Sequence, residues 1–362
     1  MELQLNADQQ MLQESVQRFL HKSIPLDLLH SRTDDGARAE PALQQALHEL
    51  GLAGLLVPET HAGSGLGFVD AAVVAESIGA AAAPVAFTGT VMAVTALRSL
   101  GDGAPKERWL GAIASGEARL AVCFPSSRSG QTGEASAEVA AGRLSGLTQG
   151  VLDVAGASHL LVFLAGGRGV LVDVRAQGVR VTARATLDRT RPLFDIEFDR
   201  AAFEPLADDS HRAIEAALDA GRLMLAADTL GAAQAMLDRA VAYAKERVQF
   251  GRVIGSFQGV KYLCADMITM LAPCRAMVWQ TAHEMESGSS EARLMAYHVK
   301  AHLGDVGREV SRMATEVHGG IGFTDVLGLH FWLKRIAFNR QVLGSAELCR
   351  QQAAQLQGWI AA

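Results

Sequence analysis

A chain of 362 residues is long enough to bury a large core and to divide into two or three domains. It is 49% hydrophobic, yet no apolar run reaches the ~20 residues a membrane-spanning helix needs. A formal charge of -6 with mixed signs argues against a dedicated nucleic-acid binder. Met1-Glu2-Leu3-Gln4 has neither a basic n-region nor an apolar h-region, so no secretory signal is expected. Cysteines at 123, 264, 274 and 349 show no metal-type spacing. Cys264 and Cys274 would lie about 15 Å apart along one helix, too far to bridge. The expectation is a soluble cytoplasmic enzyme, or a subunit of one, with reduced thiols and no metal.

In chain order, Asn6 with Gln9 three residues on predicts a helix start, and Leu12, Val16, Phe19 and Leu20 form its apolar stripe. Ser31 to Glu40 reads as a polar loop before a helix ending near Leu50. Gly51 to Glu59 and the glycine-rich turn His61 to Gly67 follow, then helical patterns at about Phe68–Gly79 and Phe87–Leu100. Residues 1–118 are therefore expected to be an all-helical domain.

Near Ala118 the period changes. Leu120 to Phe124 is strand-like, while Glu138–Ser145 and Val162–Asp173 read as hairpins. Val179-Arg-Val and Phe194 to Phe198 alternate in and out. An antiparallel, barrel-like β-domain is expected over 119–205. Long helical runs then return, at about 213–248, 257–286 and 290–317, with a last helix from near Ser345. Residues 206–362 read as a four-helix bundle. The fold class is α+β, mostly α.

Two breaks in these helices carry the chemistry. In the first, Gly251 and Gly255 separate two helices, and Ser256 stands where an N-cap is expected. Arg247 then closes one helix and Gln258 opens the next. A guanidinium beside a helix N-terminus suits a pyrophosphate, whereas on its own the same arginine would simply cap carbonyls. In the second, Glu316-Val-His318-Gly319-Gly320-Ile-Gly322-Phe323, paired glycines end a long helix. Their missing Cβ atoms admit a ligand to the backbone; read alone, the motif is a glycine C-cap with a structural His318.

Arg247-Val-Gln-Phe250-Gly251, with Ile254, Phe257-Gln258 and Ala265-Asp266-Met267, resembles the C-terminal signature of the acyl-CoA dehydrogenase family. The order of helical, β and helical domains is similar to that family along essentially the whole chain. The resemblance implies an FAD whose nucleotide contacts Arg247, Phe250 and Gln258 of a neighbouring subunit, together with Gly319, Gly320 and, beside them, Glu316. Ser345 and Glu347 fall where the family contacts the cofactor with Thr and Gln, and Arg222 falls at the substrate pocket. It further implies α,β-dehydrogenation of an acyl-CoA, an electron-transfer flavoprotein as acceptor, and a homodimer, homotetramer or hetero-oligomer with a homologue.

The family's proton-abstracting glutamate has two known places, and here they hold Leu343 and Gly221. Three explanations stay open: a relocated base such as Asp228 or Asp325, a companion subunit supplying the glutamate, or a changed reaction, including binding without turnover. A catalytically silent subunit completing a partner's FAD site is the alternative function. The flavin-facing run after the first strand also departs from the family. Cys123 replaces its threonine, Pro125 keeps its proline, and Ser126 or Ser127 could still donate.

Overall fold

The computed structural model describes residues 4–31, 41–101, 103–125 and 137–361. Six helices come first: α1 (Ala7–Ser23), α2 (Leu26–Ser31), α3 (Pro41–Glu49), α4 (Phe68–Ala80), α5 (Phe87–Ser99) and α6 (Ala104–Ala114). Eight strands follow: β1 (Leu120–Cys123), β2 (Glu138–Ala140), β3 (Arg143–Leu152), β4 (His159–Phe163), β5 (Gly169–Asp173), β6 (Val179–Arg184), β7 (Leu193–Ala201) and β8 (Glu204–Ala207). Then come α7 (His211–Glu246), a small hairpin of β9 (Val248–Gln249) and β10 (Arg252–Val253), α8 (Gln258–Glu286) and α9 (Ala292–His318). α10 (His330–Gln341) and α11 (Ala346–Leu356) complete the chain. No helix among the described residues is long and apolar enough to cross a membrane.

The contacts form two compact units that cut across the three sequence segments. One takes Met1–Asp34, Ala72–Ala83 and Leu223–Ala362; the other takes Asp35–Ala71 and Pro84–Arg222.

In the second unit two four-stranded sheets, ordered β1-β4-β5-β8 and β2-β3-β7-β6, enclose an apolar core that includes Leu144, Leu160, Val162, Val170 and Ile196. Both expected hairpins form. In the first, Ala141 and Gly142 take φ of 51° and 70°, the signs a two-residue type I′ turn requires. The domain is antiparallel as expected in the pairs β2–β3, β3–β7, β6–β7, β4–β5 and β5–β8, and departs from that pattern at one pair. β1 runs parallel to β4, because the long connection through the other sheet returns the chain in the same direction.

In the first unit the Asn6 capping box closes as expected: the Gln9 N–H donates to Asn6 Oδ1 at 2.8 Å, and the Asn6 N–H to Gln9 Oε1 at 3.1 Å. Here α4 meets α7 through a reciprocal glycine contact. A Cβ on Gly79 would lie 1.9 Å from the Asp228 carbonyl, and one on Gly231 would lie 1.8 Å from that of Glu76. Gly231→Ala is therefore expected to force the helices apart and cost about 1–3 kcal/mol or more, read from denaturant unfolding.

Beside that crossing lies a buried polar cluster. Asp228 and Arg335, both 0% exposed, form a bidentate pair at 2.9 and 2.7 Å; Asn339 adds a bond at 2.7 Å, and Arg335 also donates to the Ala83 carbonyl at 3.0 Å. This cluster explains why α10 escapes a periodicity search. Phe331, Trp332, Arg335, Ile336, Phe338 and Asn339 are all buried, so no apolar stripe faces a polar one.

Candidate functional site

At the end of α7 the chain makes the β9–β10 hairpin, with Phe250 at φ 52° and Gly251 at φ 75°, again a type I′ turn. The hairpin is pinned where the Ile254 N–H donates to the Arg247 carbonyl at 2.7 Å. It presents Phe250 to solvent at 92% exposure, edge-on to Phe257 at 6.1 Å. Arg252 is spent over the Phe257 ring at 4.0 Å. The exposed Arg247 guanidinium makes no hydrogen bond or ion pair with the described residues.

Ser256 is not the N-cap that the sequence suggested. Its hydroxyl turns back to the Val253 carbonyl at 2.7 Å, closing a short 3-10 turn, and α8 starts after Phe257 with no side-chain cap. An uncapped helix start leaves N–H groups for an anion. Gln258 stands on that first turn and donates to the Tyr262 hydroxyl. Tyr262 thus orients Gln258, a role that sequence reasoning missed, although the i,i+4 spacing was visible.

The glycine turn lies at the same end of the bundle. His318, the last residue of α9, stacks on Tyr243 in the last turn of α7, with ring centroids 4.8 Å apart. Its Nδ1–H donates to the Ala314 carbonyl at 2.7 Å, and burial lowers its pKa against that bond, so the ring is a neutral strut. Gly319 sits at φ 65°, and a Cβ on Gly322 would lie 2.8 Å from the Thr315 carbonyl. Gly320 has neither reason: its φ is ordinary, and a Cβ there would meet nothing within 4 Å. Glu316 is held on the helix surface by Arg312 at 3.1 Å.

Leu343, Ser345 and Glu347 lie elsewhere. Lys300 in the third turn of α9 donates to the Arg340 and Gly344 carbonyls at 3.2 and 3.0 Å, holding the α10–α11 turn there. That is about 27 Å along α9 from the glycine turn at 1.5 Å per residue. In one chain, then, the two groups cannot touch the same diphosphate. Leu343 is 8% exposed and held at φ 57°, unusual for a leucine. Ser345 is the N-cap of α11, accepting from the Leu348 N–H at 3.2 Å. Glu347 pairs with Arg340; its own backbone N–H, then Arg340 and Ser345, bring its pKa down to about 2.

The two carboxylates weighed above as bases are engaged. Asp228, weighed above as a base, is corrected to a core residue: three donors fill its oxygens, and no solvent reaches it. Asp325 is exposed between His330 at 2.8 Å and His30 at 3.4 Å, and the His330 hydrogen bond lowers its pKa, making it a weak base. Arg222 pairs with Asp219 at 2.6 Å, and Gly221 beside it offers no side chain. Cys123 is buried at the end of β1, and burial raises its thiol pKa. Ser126 and Ser127 lie outside the described residues.

Residues 6–117 match the acyl-CoA dehydrogenase N-terminal domain and residues 211–357 the acyl-CoA dehydrogenase C-terminal domain. The acyl-CoA dehydrogenase IpdE2 of Mycolicibacterium smegmatis is 29% identical over 365 residues, spanning 98% of this chain and 100% of the relative. A solved variant of the Tcur3481-Tcur3483 steroid ACAD is similar at a TM-score of 0.86 and 27% identity, over 97% of this chain and 98% of that one. The fold is also shared with the ChsE4-ChsE5 complex from Mycobacterium tuberculosis, at a TM-score of 0.88 and 23% identity over 100% of both chains.

Proposed function

The chain belongs to the acyl-CoA dehydrogenase family, and from that premise we propose that it is an FAD-dependent acyl-CoA dehydrogenase or a subunit of one. The reaction removes a proton from Cα and a hydride from Cβ of an acyl-CoA thioester. When bound, FAD supplies the hydride acceptor.

One observation carries the reading for this chain. Arg247, the uncapped start of α8 and the open side of Gly320 share one bundle end, and none of them has a partner or packing reason within the described residues. The guanidinium and helix N–H groups would hold a diphosphate, Gln258 would add a polar contact, and Phe250 would cover the nucleotide. Gly319 and Gly320 let the phosphates reach the backbone, while Arg312 keeps the Glu316 carboxylate on the helix surface. Ser345 and Glu347, about 27 Å away along α9, would serve a different part of the cofactor or a second copy of it.

The proton acceptor is assigned to a companion. Leu343 and Gly221 cannot take a proton, Asp228 is locked by Arg335, and Asp325 is held by two histidines. A homologous chain in a hetero-oligomer would bring the carboxylate; the ChsE4-ChsE5 complex, which shares the fold, pairs two differently named chains. Segments 1–118, 119–205 and 206–362 are retained as the functional domains, a division supported by the matches at 6–117 and 211–357. Arg222 would line the acyl pocket, an electron-transfer flavoprotein would receive the electrons, and the site of action would be the cytoplasm.

Purification of the chain alone and with a co-expressed homologous dehydrogenase tests this. Alone it is expected to be colourless, with no activity toward acyl-CoA. Co-expressed, it is expected to carry flavin absorbance that bleaches when acyl-CoA is added. A lone chain that holds FAD and reduces it with acyl-CoA would place the base within this sequence instead.

A further inference from the structure

The second unit holds a cavity of about 300 Å³ between the last turns of α3, the start of α5 and the residues entering β1. It uses none of the residues assigned above to the flavin nucleotide or the acyl group. Leu52, Ala53 and Phe87 give its lining an apolar part, and Gln44, His48 and Arg119 give it a polar one. At ~30 Å³ per molecule this volume would take roughly ten waters, far more than one structural water needs, and it reaches the lower end of small-molecule sites.

His48 Nδ1 is buried without a hydrogen-bond partner among the described residues. Buried polar atoms are nearly always satisfied, so an orphan nitrogen on a residue that lines a cavity marks an unmet hydrogen-bonding need beside it. The backbone accommodates this ring. Gly116 lies against it at φ 76°, and a Cβ there would sit 2.6 Å from the imidazole Cε1 and Nε2. Arg119 is half-buried and fixed by donating to the Gly156 carbonyl, which leaves the rest of its donor fork for a ligand. Glu117 is an exposed carboxylate on the cavity lining. The polar lining residues Gln44, His48 and Arg119 offer N–H donors, and Leu52, Ala53 and Phe87 supply apolar surface.

We propose that this cavity binds a small organic carboxylate, its anionic end held by Arg119 and His48 and its apolar body seated on Leu52, Ala53 and Phe87. A ligand of about ten heavy atoms fits the volume, and at the low end of the usual affinity per atom a Kd on the order of 1 mM is expected.

Calorimetric titration of the full-length protein in its native assembly with benzoate tests the site. Saturable binding is expected, weakened at least tenfold by Ala53→Phe, which fills the cavity, and independently by His48→Gln, with melting of each variant checked against the parent. Benzamide, with the same body and no charge, is expected to bind at least tenfold more weakly. Absence of saturable benzoate binding would overturn the proposal, as would binding that persists unchanged in both variants, which would place benzoate at another site. Equal affinity for benzamide would overturn the carboxylate class.

Discussion

Asp228→Ala is expected to lower the stability of the helical unit by about 3–5 kcal/mol, a fall in melting temperature of about 6–20 °C. The magnitude follows from what is left behind. Arg335 is wholly buried, and two of its nitrogens donate to the Asp228 carboxylate, so removal of that anion strands a cation in the core. Asn339 loses its acceptor as well. The double variant Asp228→Leu with Arg335→Met is expected to recover most of the loss, because replacing both partners by apolar groups removes the stranded charge. If Asp228→Ala melts within a degree of the parent, the pair is not the lock described.

Arg247→Met is expected to weaken FAD binding to the assembled protein by about 10- to 100-fold. A hydrogen bond to a charged group contributes roughly 1.5–3 kcal/mol, and 1.4 kcal/mol is a factor of ten. The apo protein should melt as before, since this exposed side chain holds nothing in its own fold. Arg247→Lys should fall between the two, retaining charge but losing the planar fork, and its residual affinity should decline with added salt. Unchanged flavin affinity in Arg247→Met would remove the arginine from the site.

Much of this fold is written in local sequence patterns. The capping box at Asn6, the hairpin at Ala141-Gly142 and the long helices follow from local patterns that tertiary packing did not override. The parallel pairing of β1 with β4 could not be read, because register between distant strands leaves no local mark. α10 was missed because its buried face carries Arg335 and Asn339 among aromatics.

For the proposed site the sequence singled out Arg247, Gln258 and the glycine pair, and the resemblance supplied the reason. The structure adds the spacing. His318 on Tyr243 brings the glycine turn to the end of α7, while Lys300, in the third turn of α9, holds Gly344 and with it the α10–α11 turn well away from that end. That separation is set by helix length and by a buried lysine, and neither can be judged from residue types alone. Asp228 looked usable as a base only until Arg335 was seen against it.

Gly320 offers the most direct measurement, because its own chain gives no reason for a glycine there. The FAD dissociation constant of the assembled Gly320→Leu variant, determined alongside the unfolding of its apo form, separates ligand from scaffold. Apo stability within about 0.5 kcal/mol of the parent, with at least tenfold weaker FAD binding, is the predicted result. Flavin held as tightly by leucine as by glycine would contradict a diphosphate resting on this turn.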